Sequence, residues 1–292
     1  MTTQTQEEIC LDIMSHCRIR NAFLKSKNGI LNRTASTMAT VVGYHSGMDE
    51  ADRKAQYNAC KDYLEKRIAD KPATLETSDE NIAICESLIS SVRTSIQGFS
   101  ENENTYKKKL TKLGKQLGIW EKWVKDVRGI SEFGLAVLIG ETGSMDNYPN
   151  PAKVWKRMGC APYEKNGKTQ AASTWRSKGG LSSEDWENLG YNPRRRSVVY
   201  NLVTSIIKSN PKDSGSEFRD RYDEAKQTAM EKHEDWSLGH AHNHAMLLCG
   251  KRFIRELWIN WTQEQKAQLE PITQVIHIPP KAFSHTDQEV VV

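Results

Sequence analysis

Between Cys85 and Val124 the side chains at alternating steps of four and three residues are Cys85, Ile89, Val92, Ile96, Phe99, Glu103, Tyr106, Leu110, Leu113, Leu117, Trp120 and Val124. Glu103 alone is not apolar. A seam of this length predicts a coiled-coil arm, either self-associating or folded on an earlier helix, in preference to a plain core helix. Gly98, Gly114 and Gly118 weaken the pattern, and the polar run FSENENTY leaves open a turn joining two shorter helices. The lysines from Lys107 to Lys109 read as the solvated face of the arm.

The remaining periodic segments are also helical. QEEICLDIMSHCRIRNAFLKSKNGILNRTASTMATVV opens the chain, GYHSGMDEAD breaks it, and DRKAQYNACKDYLEKRIAD follows before KPAT. A charged helix is expected after the turn at Pro211 to Ser216, and HAHNHAMLLCGKRFIRELWINW reads as the last helix. No long run alternates as a strand would, so the expected class is mainly α. The expected organisation is an N-terminal helical region over 1–75, the arm over 76–126, a third block over 127–268 and an extended, proline-broken tail over 269–292.

Composition excludes some classes of function. No run of eighteen apolar residues occurs, and the acidic start lacks the basic region of a signal peptide, so a cytoplasmic protein without a membrane partner is expected. The six cysteines are scattered without a CxxC pair, which favours reduced thiols over disulfides or a zinc ribbon. Charge is concentrated: Pro151 to Asn210 carries eleven Lys and Arg against four acids, a surplus larger than the +4 of the whole chain. Interleaved Trp155, Tyr163, Trp175 and Tyr191 make this the composition a phosphate backbone requires, although a solvated surface over core aromatics fits equally.

Just upstream lies VRGISEFGLAVLIGETGS, Val127 to Ser144. A glycine turn between two apolar helices predicts a helix-hairpin-helix, in which the amides of Gly129, Ile130 and Ser131, at a helix N-terminus, can hold a phosphate oxygen without reading base sequence. Ser131 stands where a second glycine is usual, and it can instead cap the following helix. A purely structural αα-turn is the alternative.

The order VRGISEFGLAVLIGETG, NPAKVWKRMGCAPYEKNGK, WRSKGG and YNPRRRSVVYNL resembles the C-terminal domain of the insertion-sequence-110 transposases, recombinases guided by a bridge RNA. Gly129, Ile130, Gly134, Gly159, Ala161, Pro162, Gly167, Lys168, Ser177, Lys178, Gly179, Asn192, Arg194 and Arg196 stand at matching positions, with LSSEDWENLGY as an insertion. GKRFIRELWINW and AFLKSKNGILNRTASTM resemble the helix closing that domain and the segment opening the family's coiled coil. The resemblance implies DNA held through the turn and through Lys153, Lys156, Arg157, Lys168, Arg176, Lys178, Arg194, Arg195 and Arg196. It also implies a structured guide RNA as a further candidate partner.

Two departures bear on catalysis. The family's RNase-H-like domain with its metal-binding carboxylates has no counterpart here, so a divalent metal is expected only if a separate chain supplies that domain. The family's nucleophilic serine position holds Asn166, which has no attacking oxygen; Ser173 and Ser177 are the nearby candidates, but Ser177 matches a different family position, and Ser173, like neighbouring Ser182 and Ser183, has no evident activating group. His240 and His244 share a helical face at a spacing able to hold zinc, but no acid or cysteine stands at a supporting distance, so no metal or cofactor is expected. Asp220, Asp223 and Glu224 read as a solvated charged face.

These readings converge on a DNA-binding protein of the transposase or recombinase type, nucleoid-associated, homo-oligomeric through its arm and lacking a complete catalytic site of its own. The alternatives are a non-catalytic DNA- or RNA-binding factor of transposase descent and a helical interaction scaffold.

Overall fold

The computed structural model describes residues 4–165, 168–171, 182–185 and 192–275, with side chains placed for most of them. The chain is mainly α. Three long helices begin it: α1 (Gln6–Val41), α2 (Glu50–Ile68) and α3 (Asp79–Gln116). A short α4 (Gly118–Lys122), α5 (Glu132–Thr142) and α6 (Pro151–Arg157) follow. A two-stranded antiparallel hairpin pairs β1 (Pro162–Lys165) with β2 (Lys168–Ala171). The chain then forms α7 (Pro193–Ser209), α8 (Glu217–Lys232) and α9 (Leu238–Val275). Among the described residues no helix is long and apolar enough to cross a membrane.

Helix boundaries follow local chemistry. Thr5 and Glu8 form a capping box at the start of α1: the Glu8 amide donates to Thr5 Oγ1 at 3.2 Å and the Thr5 amide to Glu8 Oε2 at 2.7 Å. Asp49, Ser78 and Ser131 cap α2, α3 and α5 through their side chains. The polar run FSENENTY is no turn: α3 passes straight through it. Ser100, Asn102 and Thr105 donate back to the carbonyls of Ile96, Gly98 and Glu101, so these polar side chains bond along the helix they sit on.

α3 lies antiparallel on α1. Phe23 packs between Phe99 and Tyr106, with ring centroids 6.2 and 5.9 Å away, and His16 meets Tyr106 edge-on at 5.4 Å. Glu103, the polar interruption of the seam, accepts from Arg20 Nη2 at 2.7 Å and Lys27 Nζ at 2.5 Å. At one end of this pair α2 closes a small core of Leu31, Ala35, Met38, Cys60, Leu64, Cys85 and Ile89. Tyr63 and Arg67 of α2 both donate to Glu86 of α3, fixing how the two helices face each other.

The larger core sits at the other end. Ile9, Ile13 and Cys17 of α1 join Leu135, Ala136 and Ile139 of α5, Val199, Val203 and Ile206 of α7, and Phe253, Ile254, Leu257 and Trp261 of α9. α1 therefore serves both cores. Its approach to α5 depends on Gly140, where an added Cβ would collide with the Cys17 side chain. Leu117, Trp120 and Val124, the last positions of the heptad seam, enter this larger core after α3 has ended. All six cysteines are unpaired and buried; burial pushes Cys10, Cys17 and Cys249 up to about 12, so these thiols stay protonated.

Candidate nucleic-acid interface

The glycine turn before α5 is clasped onto α7. Gly129 has φ +103°, and a Cβ there would lie 2.7 Å from both Ile206 Cα and the Ser205 carbonyl oxygen, so only glycine fits. Asn210 Nδ2 donates to the Arg128 carbonyl at 3.0 Å from the end of α7. Within the turn, the Ile130 amide donates to the Val127 carbonyl at 3.1 Å and the Gly134 amide to Ser131 Oγ at 3.1 Å. Ile130 itself is buried in the larger core. The turn is thus a packing device, and its outward chemistry falls to Ser131 and to the first turn of α5.

Basic side chains converge at the other end of α5. The Glu141 carboxylate takes Arg194 Nε at 3.1 Å and Arg195 Nε at 3.5 Å, while Arg157 Nε donates to the Glu141 carbonyl at 3.2 Å. The longer Arg195 contact is an ion pair without hydrogen-bond geometry, and that nitrogen is buried. Burial pushes the Arg195 guanidinium below its ordinary range, and neighbouring Arg157 pushes it the same way. Two guanidiniums on the carboxylate and a third on the carbonyl of the same residue leave a local positive excess. Arg196 turns away and donates to the Gly159 carbonyl at 3.3 Å.

Lys153 and Lys156 stand exposed on α6 with no ion-pair partner among the described residues. They extend the arginine cluster outward. Trp155 between them is partly buried, and its indole N–H donates to the Lys251 carbonyl at 3.0 Å, docking α6 on α9 as a core aromatic would. The Lys168 backbone lies in β2, but its side chain, together with Arg176, Lys178, Trp175, Asn166, Ser173 and Ser177, lies outside the described residues.

The histidines of α9 are engaged with an aromatic ring. Trp236 is sandwiched between His233 and His240, with centroids 4.0 and 3.9 Å away and planes within 11° and 9° of parallel, and His244 meets it edge-on at 5.3 Å. His242 binds the Tyr222 hydroxyl through Nδ1 at 2.6 Å. Among the described residues no group of three or more His, Cys, Asp or Glu side chains is placed to hold a metal ion.

No family model, curated protein or solved structure matches this chain. The site is therefore defined by its geometry alone. α6 and α7 bring Arg157, Arg194 and Arg195 together at the Glu141 end of α5, with Lys153 and Lys156 on the same short helix as Arg157, while Ser131 stands at the opposite end of α5; Gly129 and Ile130 are given to packing and Arg196 to a carbonyl.

One contribution was missed in the sequence. A cavity of about 880 Å³ opens between α1, α5 and α7, with Gly129, Ser131 and Arg194 among its lining. Asn21, Lys25, Asn28 and Asn32 line it from α1. These residues recur at steps of four, three and four on one face of α1, a signal present in the sequence but readable only with the partner helix in view.

Proposed function

We propose that the protein binds the DNA phosphate backbone as a member of the transposase or recombinase world, without a complete catalytic site of its own. The convergence of Arg157, Arg194 and Arg195 on Glu141, two on its carboxylate and one on its backbone carbonyl, next to unpaired Lys153 and Lys156, carries this reading. Such an excess favours a polyanion, because each phosphate neutralised releases condensed counterions. On this reading α4 and α5, with the Gly129 turn between them, act as a helix-hairpin-helix, and the α1–α3 pair acts as the coiled-coil arm through which two copies associate. A guide RNA and a separate RNase-H-like chain are the further partners the reading admits, and nucleoid association follows from DNA binding. Asn166 at the family's serine position supports a non-catalytic role for this chain.

The scaffold reading also has an observation in its favour. Glu141 and the Gly159 carbonyl already engage Arg194, Arg195 and Arg196, which is what internal cross-links between α5, α6 and α7 would require. Fluorescence anisotropy with a labelled DNA duplex separates the two. A binder loses affinity steeply as salt rises, and Lys153→Glu combined with Lys156→Glu shallows the log–log slope by about one for each lysine that meets a phosphate. Absence of salt-dependent binding by the wild-type chain would leave the scaffold in its place.

A further inference from the structure

The cavity between α1, α5 and α7 has a chemistry different from the arginine cluster beside it. Leu24, Phe133, Val137, Val198 and Leu202 supply apolar walls, and its volume of about 880 Å³ falls within the range of small-ligand sites. Three primary amides, Asn21, Asn28 and Asn201, line it without a side-chain hydrogen bond to any described residue. Asn32 differs, since its Oδ1 already accepts from Lys61 at 3.1 Å. The lining contains Arg20, Lys25 and Arg194 and no carboxylate. Arg20 is paired with Glu103 and Arg194 with Glu141, which leaves Lys25 as the cation without a counter-charge among the described residues.

We propose that this cavity is a nucleotide pocket, taking one unpaired base between its apolar walls while Lys25 meets the phosphate. Each asparagine amide offers a donor and an acceptor together, the pairing that the Watson–Crick and Hoogsteen edges of a base present. The apolar walls suit the base faces, and the carboxylate-free lining suits an anion and disfavours a cation. Two rows of side chains run along the pocket: Asn21, Lys25 and Asn28 on α1 and Arg194, Ser197, Asn201 and Ser205 on α7. Their helical spacing puts each row on one face, so the pocket is open along its length, as a nucleotide still attached to a strand requires. The arginine cluster would hold the adjoining backbone; in that respect the inference rests on the nucleic-acid reading above.

The test uses the full chain with a short single-stranded oligonucleotide carrying 2-aminopurine, a duplex of the same sequence, and free AMP and UMP. Ser197→Trp plugs the pocket from an exposed position, and Lys25→Glu removes the phosphate partner at an exposed, unpaired site; circular dichroism checks that both stay folded. The expected result is a loss of single-strand affinity of about tenfold for each variant, with duplex affinity unchanged, and a 2-aminopurine signal that reports an unstacked base. Lys153→Glu with Lys156→Glu should do the reverse, weakening the duplex more than the pocket. Competition by AMP or UMP would identify a free nucleotide as sufficient, and its absence would show that a strand is needed; either outcome fits the pocket if Ser197→Trp abolishes it. Duplex binding without single-strand or mononucleotide binding, or single-strand binding that both variants leave intact, would overturn the pocket while sparing the backbone reading. Failure of every nucleic acid to bind at low salt would overturn both.

Discussion

The Arg20 guanidinium and the Glu103 carboxylate meet 2.7 Å apart across α1 and α3, at the single heptad position that the seam leaves polar. Lys27 approaches the same carboxylate, and all three side chains are 20% exposed or less. Glu103→Ala would strand two cations in a poorly hydrated seam, and it should cost on the order of 3 kcal/mol in urea unfolding. Replacing Arg20, Lys27 and Glu103 together by leucine should recover most of that loss. Burial alone would raise the Glu103 pKa, but Lys27 and Arg20 outweigh it and hold the group below its ordinary 4.5. A depressed folded-state value means this stabilisation is present above the unfolded pKa and is lost as pH falls through the folded one. Glu103→Gln should flatten that acid limb.

Two glycines should answer oppositely to alanine. Gly129 combines a left-handed backbone with a Cβ position 2.7 Å from Ile206 Cα, so Gly129→Ala should destabilise by about 2 kcal/mol or more. Gly98 lies inside α3 with nothing within 4 Å of an added Cβ, and Gly98→Ala should stabilise by up to about 1 kcal/mol. Thermal unfolding of the two variants side by side checks both signs.

Glu141 competes with any external anion for Arg194 and Arg195. Glu141→Gln should therefore lower thermal stability while raising affinity for duplex DNA at low salt by about threefold to tenfold, a gain that vanishes as salt screens it. In a scaffold the same change would lower stability with no gain in anion binding. Melting curves and anisotropy on one preparation distinguish these results.

His244 contributes a stability term near neutral pH. Burial, then the charges of His233, His240 and Lys251, push its pKa below the ordinary 6.5. The unfolded chain therefore takes up this proton first. The stabilisation is complete above about pH 6.5 and declines as pH falls from there through the folded value. His244→Gln should reduce the pH dependence of the unfolding midpoint in that window.

The helical class and the α3 seam were legible because they are local. Burial of Cys85, Ile89, Ile96, Leu110, Leu117, Trp120 and Val124 follows directly from their spacing. The seam did not reveal that α3 stops at Gln116 while its pattern continues: Leu117 adopts φ −67° and ψ 127°, and the last three positions join another core. The hairpin was missed although Asn166-Gly167, the dipeptide two-residue hairpin connections favour, lies between its strands in sequence. At the site, composition located the basic segment but not side-chain direction, so it left Trp155 open between a nucleic-acid contact and a core aromatic, and only the structure shows its N–H reaching Lys251. Contributions from α1 were hidden for a different reason. Arg20 and Glu103 are 83 residues apart, and no local pattern carries a pairing over that distance.

A helix as long as α1 spans roughly 54 Å, and it is moored at both ends. Ile13 and Cys17 sit in the Gly140 notch of one core while Ala35 and Met38 fill the other. A fragment starting at Val127 would carry that notch vacant and an apolar flank bare, however well its composition marks a boundary there. The smallest self-sufficient piece of this molecule should therefore include its own first helix, and a single scission within α1 should loosen both ends of the protein together.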